Sequence, residues 1–311
     1  MKVTVVGAGN VGATCAQIVA EKNIVKEVVL LDIKEGISEG KSLDLWQTAP
    51  INYCDTRLVG STNDYSKTAN SEVVVITSGI PRKPGMSRDD LISINAGIVK
   101  NVTEHVVKYS PKAKIIIVSN PLDVMTYAAY ITAKKPRTEV MGMAGILDTA
   151  RYRAFLAEAL DVSPRDIQAL LMGGHGDTMV PLPRYTTVSG IPVTELIDAE
   201  KLNAIVERTK SGGGELVQLM GTSAWYAPGS AAAQMVEAIV MDQKRIFPCC
   251  VKLEGEYGLN NMFVGAPVKL GKNGVEQIIE VALNKEELQL LHDSANSVKG
   301  IMDVLDGMNI L

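Results

Sequence analysis

The sequence predicts an α/β fold in which helices cover both faces of a parallel β-sheet. Through the first half of the chain, short runs of almost wholly apolar residues alternate with helix-compatible segments. Strands that are buried on both faces have this composition, and the alternation is typical of a parallel sheet. Each apolar run ends in small or polar residues. Because ligands bind beyond the carboxyl ends of parallel strands, we expect the functional site at that edge.

Composition excludes several other classes of protein. The chain has 311 residues, 46% of them hydrophobic and 21% charged, which is ordinary for a globular protein of one or two domains. The net charge of −4 gives no basic excess for nucleic acid or an anionic membrane. No apolar run approaches the ~18 residues of a membrane span, and the N-terminus has no secretory signal pattern. The four cysteines lack metal-binding spacing, so we expect no metal and reduced, buried thiols in a cytoplasmic protein.

The first predicted strand, residues 3–6, leads into Gly7-Ala8-Gly9-Asn10-Val11-Gly12, and a predicted helix follows over residues 13–22. In such a segment the first glycine permits a tight turn, the second lets the backbone approach a pyrophosphate, and the third lets the helix pack close to the strand. The free N–H groups at the helix start then face the phosphates. The pattern predicts a dinucleotide site. The alternative is a strand–turn–helix unit whose glycines serve packing only.

The second predicted strand, residues 28–31, ends in Asp32, which lies 20 residues after Gly12. A carboxylate at this spacing accepts hydrogen bonds from both ribose hydroxyls of a dinucleotide. It would repel a 2′-phosphate, so the sequence favours NAD over NADP. The alternative for Asp32 is a solvated strand end.

The remainder of the first half continues the alternation. Gly7, Asp32, Gly79 and Ser119-Asn120 each follow a predicted strand, so we expect them at one edge of the sheet. The predicted helices span residues 35–49, 89–109 and 122–133, and the predicted strands span residues 58–60, 73–76 and 115–118.

The second half has a different pattern, which indicates a domain boundary near residue 145. The predicted strands span residues 167–172, 247–253 and 262–270, with hairpin-like sequence over residues 181–192. The predicted helices span residues 146–160, 199–220, 231–241 and 286–305.

Among the three histidines, His175 is the catalytic candidate. His105 and His292 lie in predicted helices, where a structural or surface role is expected. His175 follows a predicted strand in Gly173-Gly174-His175-Gly176-Asp177, and the glycines leave its ring accessible. The alternative is an ordinary exposed loop histidine.

A catalytic imidazole needs a carboxylate that fixes its tautomer and stabilises its charged form. Asp148 is the candidate, at the start of a predicted helix. Arg151 lies three residues further on, so both side chains share one helix face. In one interpretation Asp148 and Arg151 only form an intrahelical ion pair. In the other, Asp148 is the acid partner of His175 and Arg151 supplies a guanidinium group for an anionic substrate.

Arg82 and Arg88 flank Lys83-Pro84-Gly85-Met86-Ser87 on a loop above the expected site. Guanidinium groups bind carboxylates through two parallel hydrogen bonds, which lysine cannot do. A loop with this proline and glycine content could close over a ligand as a unit. The alternative is a solvated loop with arginines for solubility.

Five segments in this order resemble the lactate/malate dehydrogenase superfamily, and the resemblance covers the whole chain. It is greatest for the malate dehydrogenases that are similar to lactate dehydrogenase. The segments are Gly7-Ala8-Gly9-Asn10-Val11-Gly12, Ile80-Pro81-Arg82-Lys83-Pro84-Gly85-Met86-Ser87-Arg88, Val118-Ser119-Asn120-Pro121, Leu147-Asp148-Thr149-Ala150-Arg151 and Gly174-His175-Gly176-Asp177.

The resemblance implies a Rossmann-type, doubly wound parallel sheet over residues 1–145, followed by an α+β catalytic domain over residues 146–311. It also implies an NAD-dependent enzyme of the tricarboxylic acid cycle. A homotetramer is favoured, with a dimer possible, because Ser223 and Trp225-Tyr226 resemble the lactate branch.

The resemblance also implies roles for individual residues. His175 would accept the proton and Asp148 would be its partner, while Arg88 would polarise the carbonyl group. Arg151 would bind the carboxylate beside the reacting carbon. The remaining substrate contacts would be Arg82, Asn120 and Ser223, and the cofactor contacts Gly7, Ala8, Gly9, Asn10, Val11, Gly12, Asp32, Asn95, Val118, Ser119 and Asn120.

The resemblance also implies that Arg82 distinguishes the two branches, because the lactate enzymes have an uncharged glutamine at this position and the malate enzymes have arginine. The free-energy cost of burying the second carboxylate of a dicarboxylate without a partner would be prohibitive. Pyruvate has only a methyl group there and would leave Arg82 unpaired. Arg82 therefore indicates the dicarboxylate malate. The alternatives are a lactate dehydrogenase and, in another class, a regulatory protein that binds NAD without catalysis.

Overall fold

A computed structural model describes residues 1–81 and 85–311 of the chain, and its secondary structure follows the predicted alternation. The strands are β1 (Lys2–Val6), β2 (Glu27–Asp32), β3 (Arg57–Thr62), β4 (Val73–Ile76), β5 (Lys114–Ile117), β6 (Val140–Gly142), β7 (Ile167–Gln168), β8 (Leu171–Gly173), β9 (Met179–Pro181), β10 (Thr187–Val188), β11 (Ile191–Pro192), β12 (Arg245–Glu254), β13 (Asn260–Gly271) and β14 (Gly274–Ile278). The helices are α1 (Asn10–Glu21), α2 (Ile37–Gln47), α3 (Ala49–Asn52), α4 (Arg88–Tyr109), α5 (Leu122–Ala133), α6 (Gly145–Leu160), α7 (Val193–Leu196), α8 (Ala199–Met220), α9 (Tyr226–Val240) and α10 (Lys285–Gly307).

The first half forms a parallel sheet in the strand order β3-β2-β1-β4-β5-β6. This is the order of a doubly wound dinucleotide-binding sheet, so the predicted fold class is confirmed. Successive residues of each strand enter different cores: Val5 and Val75 pack on one face, and Val6 and Ile76 on the other. Both faces are buried, which explains why these strands are apolar throughout.

The second half extends the same sheet with antiparallel strands. Cys250 of β12 pairs with Gly142 of β6, and β13, β8 and β9 continue outward from β12. Cys249 and Cys250 belong to opposite cores, as expected for neighbours on a strand. One continuous sheet therefore carries both the glycine-rich segment and the loop of His175.

The sequence prediction was wrong about the segment 167–172, which it treated as one strand. The chain forms two short strands in different sheets. β7 pairs with β10 in a small sheet with β11, whereas β8 pairs with β13 and β9 in the large one. A segment that is apolar except for Gln168 gives no sign of such a change of partner. The prediction also missed β6, whose three residues are too few for a periodic signal.

Close packing explains the glycine inside α1. A Cβ at Gly12 would collide with the carbonyl oxygen of Gly7, at the end of β1. Gly7 itself has a φ of +104°, which favours glycine. The helix can therefore start directly over the strand end. No helix within residues 1–81 and 85–311 is both long enough and apolar enough to cross a bilayer.

Candidate active site

A first cavity of about 560 Å³ opens at the carboxyl ends of β1, β2 and β4. Gly7, Asp32 and Gly79, which the sequence predicts at one edge of the sheet, line it together with Gly9. Ile98 of α4 contributes to the apolar side of the same cavity. The cavity thus combines a glycine-rich turn, a carboxylate and an apolar wall.

The peptide group of Ala8 is held from both sides. Asp32 Oδ2 accepts a hydrogen bond of 2.6 Å from the Ala8 N–H, and Lys41 Nζ donates one of 2.9 Å to the Ala8 carbonyl oxygen. Gly9 caps α1 without a side-chain hydrogen bond, and a Cβ there would meet nothing within 4 Å. The helix start therefore leaves N–H groups and open space for a phosphate, and Asp32 stands where a ribose would follow. These residues fit a dinucleotide.

Asn95 joins two of the strand-end loops. Its Oδ1 accepts a hydrogen bond of 2.8 Å from the Ile80 N–H, and its Nδ2 donates to the carbonyl oxygens of Ile80 and Asn120 at 3.2 and 2.8 Å. Ser119 Oγ donates a further hydrogen bond of 2.5 Å to the Ser78 carbonyl oxygen. Asn95 is buried, and its side-chain hydrogen bonds to the described residues are with backbone groups of the protein. Its contact with the cofactor stays a prediction.

A second cavity, of about 340 Å³, lies beside the first. Arg88 at the start of α4, Asn120 after β5 and His175 after β8 line it together. Val298 and Ile301 of α10 form its apolar wall. Three residues that are far apart in the sequence thus face a common space.

His175 and Asp148 form the hydrogen-bonded pair that the sequence predicts. His175 Nδ1 lies 2.9 Å from Asp148 Oδ2, and Arg151 Nη1 lies 3.5 Å from Asp148 Oδ1. The Asp148 side chain is 2% exposed, whereas the His175 side chain is 22% exposed. One face of α6 thus presents the carboxylate and the guanidinium together, and the imidazole keeps an accessible side.

Burial is the largest influence on the pKa of His175, and it lowers that pKa. The charge and hydrogen bond of Asp148 and the charge of Asp123 act in the opposite direction, and Arg151 lowers the pKa further. The net result is a pKa above the usual 6.5 of histidine. Asp148 therefore stabilises the imidazolium form of a ring that burial alone would keep neutral.

Gly212 of α8 is a feature that the sequence analysis missed. A Cβ at Gly212 would overlap Arg151 Cδ and would lie 2.9 Å from Arg151 Nε. The next two glycines, Gly213 and Gly214, have open space instead. Because glycine inside a helix costs about 1 kcal/mol relative to alanine, a packing reason is needed, and the Arg151 side chain supplies it at Gly212.

Four other residues that the sequence analysis discusses have different outcomes. Ser223 is exposed in the connection between α8 and α9, and it is not among the described residues that line either cavity. Arg82 lies outside the described residues. His105 stacks on Tyr65 with ring centroids 4.4 Å apart, and His292 Nε2 lies 2.8 Å from the Tyr257 carbonyl oxygen, so both have structural contacts.

Two family models match almost the whole chain. The lactate/malate dehydrogenase NAD binding domain matches residues 1–142, and the lactate/malate dehydrogenase alpha/beta C-terminal domain matches residues 146–306. The chain belongs to the lactate/malate dehydrogenase family. The predicted family and the predicted cofactor, NAD, are confirmed.

Individual relatives agree. The malate dehydrogenase of Cytophaga hutchinsonii is 71% identical over 308 residues, which cover 99% of each chain. The structure of malate dehydrogenase from Salinibacter ruber has a TM-score of 0.96 at 58% identity, covering 99% of this chain and 98% of that one. The Cryptosporidium parvum lactate dehydrogenase, solved with lactic acid and the cofactor, has a TM-score of 0.94 at 38% identity and covers 98% of both.

Proposed function

We propose that the protein catalyses the reversible, NAD-dependent oxidation of (S)-malate to oxaloacetate. The observation that carries the proposal is the buried Asp148 carboxylate, which contacts both the imidazole of His175 and the guanidinium of Arg151. A base for a hydroxyl proton and a cation for a carboxylate are what a 2-hydroxy acid needs. The names of the close relatives support malate as the substrate.

Bound NAD supplies the acceptor for the hydride of the substrate carbon. The residues of this chain then perform four tasks. Arg151 binds the carboxylate beside the reacting carbon, and the hydrogen bond from His175 Nδ1 to Asp148 leaves the other ring nitrogen, Nε2, free to accept the hydroxyl proton. Arg88, at the edge of the cavity, stabilises charge that develops on the substrate oxygen. Asn120 orients the substrate from the end of β5.

Arg82 is proposed to bind the second carboxylate of malate. The proposal rests on the sequence, because Arg82 lies outside the described residues. An uncompensated carboxylate in a closed site would be very costly, and the arginine removes that cost. Closure of the loop over residues 80–88 would exclude water and strengthen the charge interactions.

The cofactor roles of the residues from Gly7 to Gly12, of Asp32 and of Asn95, Val118, Ser119 and Asn120 belong to the same proposal. The open N-terminus of α1 and the exposure of Asp32 to the first cavity support them. We also propose the division into an NAD-binding domain, residues 1–145, and a catalytic domain, residues 146–311. The limits of the two matching family models, 142 and 146, support that division.

A homotetramer working in the cytoplasm, within the tricarboxylic acid cycle, completes the proposal. All four cysteines are buried and free, which suits a reducing compartment. Leu43 on α2, Ile51 on α3 and Tyr53 directly after α3 are 59%, 73% and 92% exposed, and a second copy of the chain could cover such apolar side chains.

The substrate assignment predicts a large preference in a direct comparison. NADH oxidation with oxaloacetate and with pyruvate, measured in parallel on the pure protein, should differ by ~10³ or more in kcat/KM, because pyruvate has no second carboxylate for the guanidinium of Arg82 to bind. Arg82→Gln should remove most of that preference. Arg165→Gln, an exposed arginine that lines neither cavity, is the control and should keep it. A preference for pyruvate would establish the lactate alternative, and no turnover with either acid would favour a regulatory NAD-binding protein.

Adjacent glycines of α8 give a matched test of Arg151. Gly212→Ala should raise the KM for oxaloacetate ~10-fold or more, because the added methyl displaces the guanidinium. Gly213→Ala adds the same methyl to open space and should leave KM unchanged. Both changes have the same effect on helix propensity, so a difference between them comes from the overlap with Arg151. Equal KM values in steady-state assays would show that Arg151 is not held where the substrate binds.

The oligomer proposal predicts a mass in solution of four times the 33.3 kDa of one chain. Light scattering on the pure protein measures it. Twice that mass would support the dimer instead, and a mass of 33.3 kDa would rule out both.

A further inference from the structure

Two consecutive backbone N–H groups beside the imidazole are each bound by a side chain from a distant helix. The Gly174 N–H donates a hydrogen bond of 2.7 Å to Ser294 Oγ of α10. The His175 N–H donates one of 2.8 Å to Asp123 Oδ2 of α5. The backbone of the His175 loop is thus fixed by two helices, in addition to the ring contact that Asp148 makes from α6.

Asp123 is the less ordinary of the two partners. It is only 6% exposed, yet it lines the cavity that His175 and Arg88 share. A buried carboxylate is costly unless hydrogen bonds and charges compensate it. Three features stabilise the Asp123 carboxylate. The His175 N–H and the buried Cys250 thiol act on it as hydrogen-bond donors, and its place in the first turn of α5 puts it near the positive end of the helix dipole. An uncharged side chain could accept the same backbone hydrogen bond without this cost.

We propose that Asp123 is a positioning residue for His175, which holds the backbone of the proton acceptor and supplies a second negative charge beside the imidazole. The inference rests on the proposed role of His175. Asp148 holds the ring from α6 and Asp123 holds the main chain from α5, so His175 lies between two carboxylates.

The charges around His175 oppose one another. From α6, Asp148 favours the imidazolium and Arg151 disfavours it, and from α5, Asp123 favours it. Arg88 of α4 and Asp177 of the histidine's own loop line the same cavity, and the Cys250 thiol of β12 lies against Asp123. Burial, the largest influence, raises the pKa of Asp123, while the amide and charge of His175 lower it, with a net rise. Each of the two groups stabilises the charged form of the other.

Ser294 supplies the matched control. Ser294→Ala removes a backbone hydrogen bond of similar length, one residue away, without changing any charge. Asp123→Asn keeps an oxygen acceptor and nearly the same shape, removes the charge, and replaces the other carboxylate oxygen with an amide nitrogen. A purely structural role for Asp123 would make Asp123→Asn nearly silent, whereas the proposed role makes its effect electrostatic.

Titration of the imidazole by NMR tests the inference directly. The chain has three histidines, so three C2–H resonances are expected, and His175→Gln identifies the one of interest by its loss. Asp123→Asn should lower the pKa of His175 by about one unit, because a nearby negative charge is lost. Ser294→Ala should leave that pKa within ~0.3 of the wild type. Equal pKa values in Asp123→Asn and wild type would overturn the proposal.

The pH profile of oxaloacetate reduction gives the second reading. Reduction of oxaloacetate needs the imidazolium form, so kcat/KM is at its maximum when the pH is below the pKa of His175. It falls as the pH rises through that pKa. In Asp123→Asn that fall should move to lower pH by the same shift that NMR reports. If NMR shows the shift and the activity profile does not follow it, the charge effect of Asp123 stands and His175 is not the proton acceptor. Asp123→Ser, with a hydroxyl acceptor, repeats the test should the asparagine variant not fold.

Discussion

The hydrogen bond between Asp148 Oδ2 and His175 Nδ1 is the interaction on which the rest of the site depends. Asp148 is almost fully buried, and a carboxylate in that position needs partners. It has an imidazole on one side and a guanidinium on the other. The same two contacts fix the tautomer of His175 and the direction of Arg151, so one buried side chain orients both groups.

The fold brings these groups together by joining two kinds of sheet. The parallel strands place the glycine-rich segment and Asp32 around one cavity. The antiparallel strands carry the loop of His175 to the neighbouring one. The pairing of Cys250 with Gly142 makes the two parts a single sheet, and the hydrogen bonds of Asp123 and Ser294 fix the histidine loop against α5 and α10. The glycine-rich segment and the loop of His175 therefore belong to one continuous sheet.

Local signals in the sequence were enough for much of this arrangement. Gly7 to Gly12 and Asp32 have a fixed spacing along the chain, and the parallel sheet follows from apolar runs that any reader can find. The pair of His175 and Asp148 could be predicted, because glycines flank His175 and Asp148 lies at the start of a predicted helix. The contacts of Gly212 and Asp123 could not be predicted from the sequence. Gly212 looks like an unfavourable glycine inside a helix, and Asp123 looks like an acid that the N-terminus of a helix favours. Their roles arise from contacts across the chain, which no local pattern contains. The change of sheet within residues 167–172 was missed for the same reason.

The most direct test of the central claim is the pKa of His175 in the wild type and in Asp148→Asn, followed by the NMR signal of the imidazole C2–H. Asparagine keeps the shape of the side chain but removes the charge that opposes burial. We predict a pKa above 6.5 in the wild type and a lower pKa in the variant, because the charge and hydrogen bond of Asp148 no longer oppose the effect of burial. The same pKa in both proteins would mean that Asp148 does not stabilise the imidazolium, and the account of the site would be wrong.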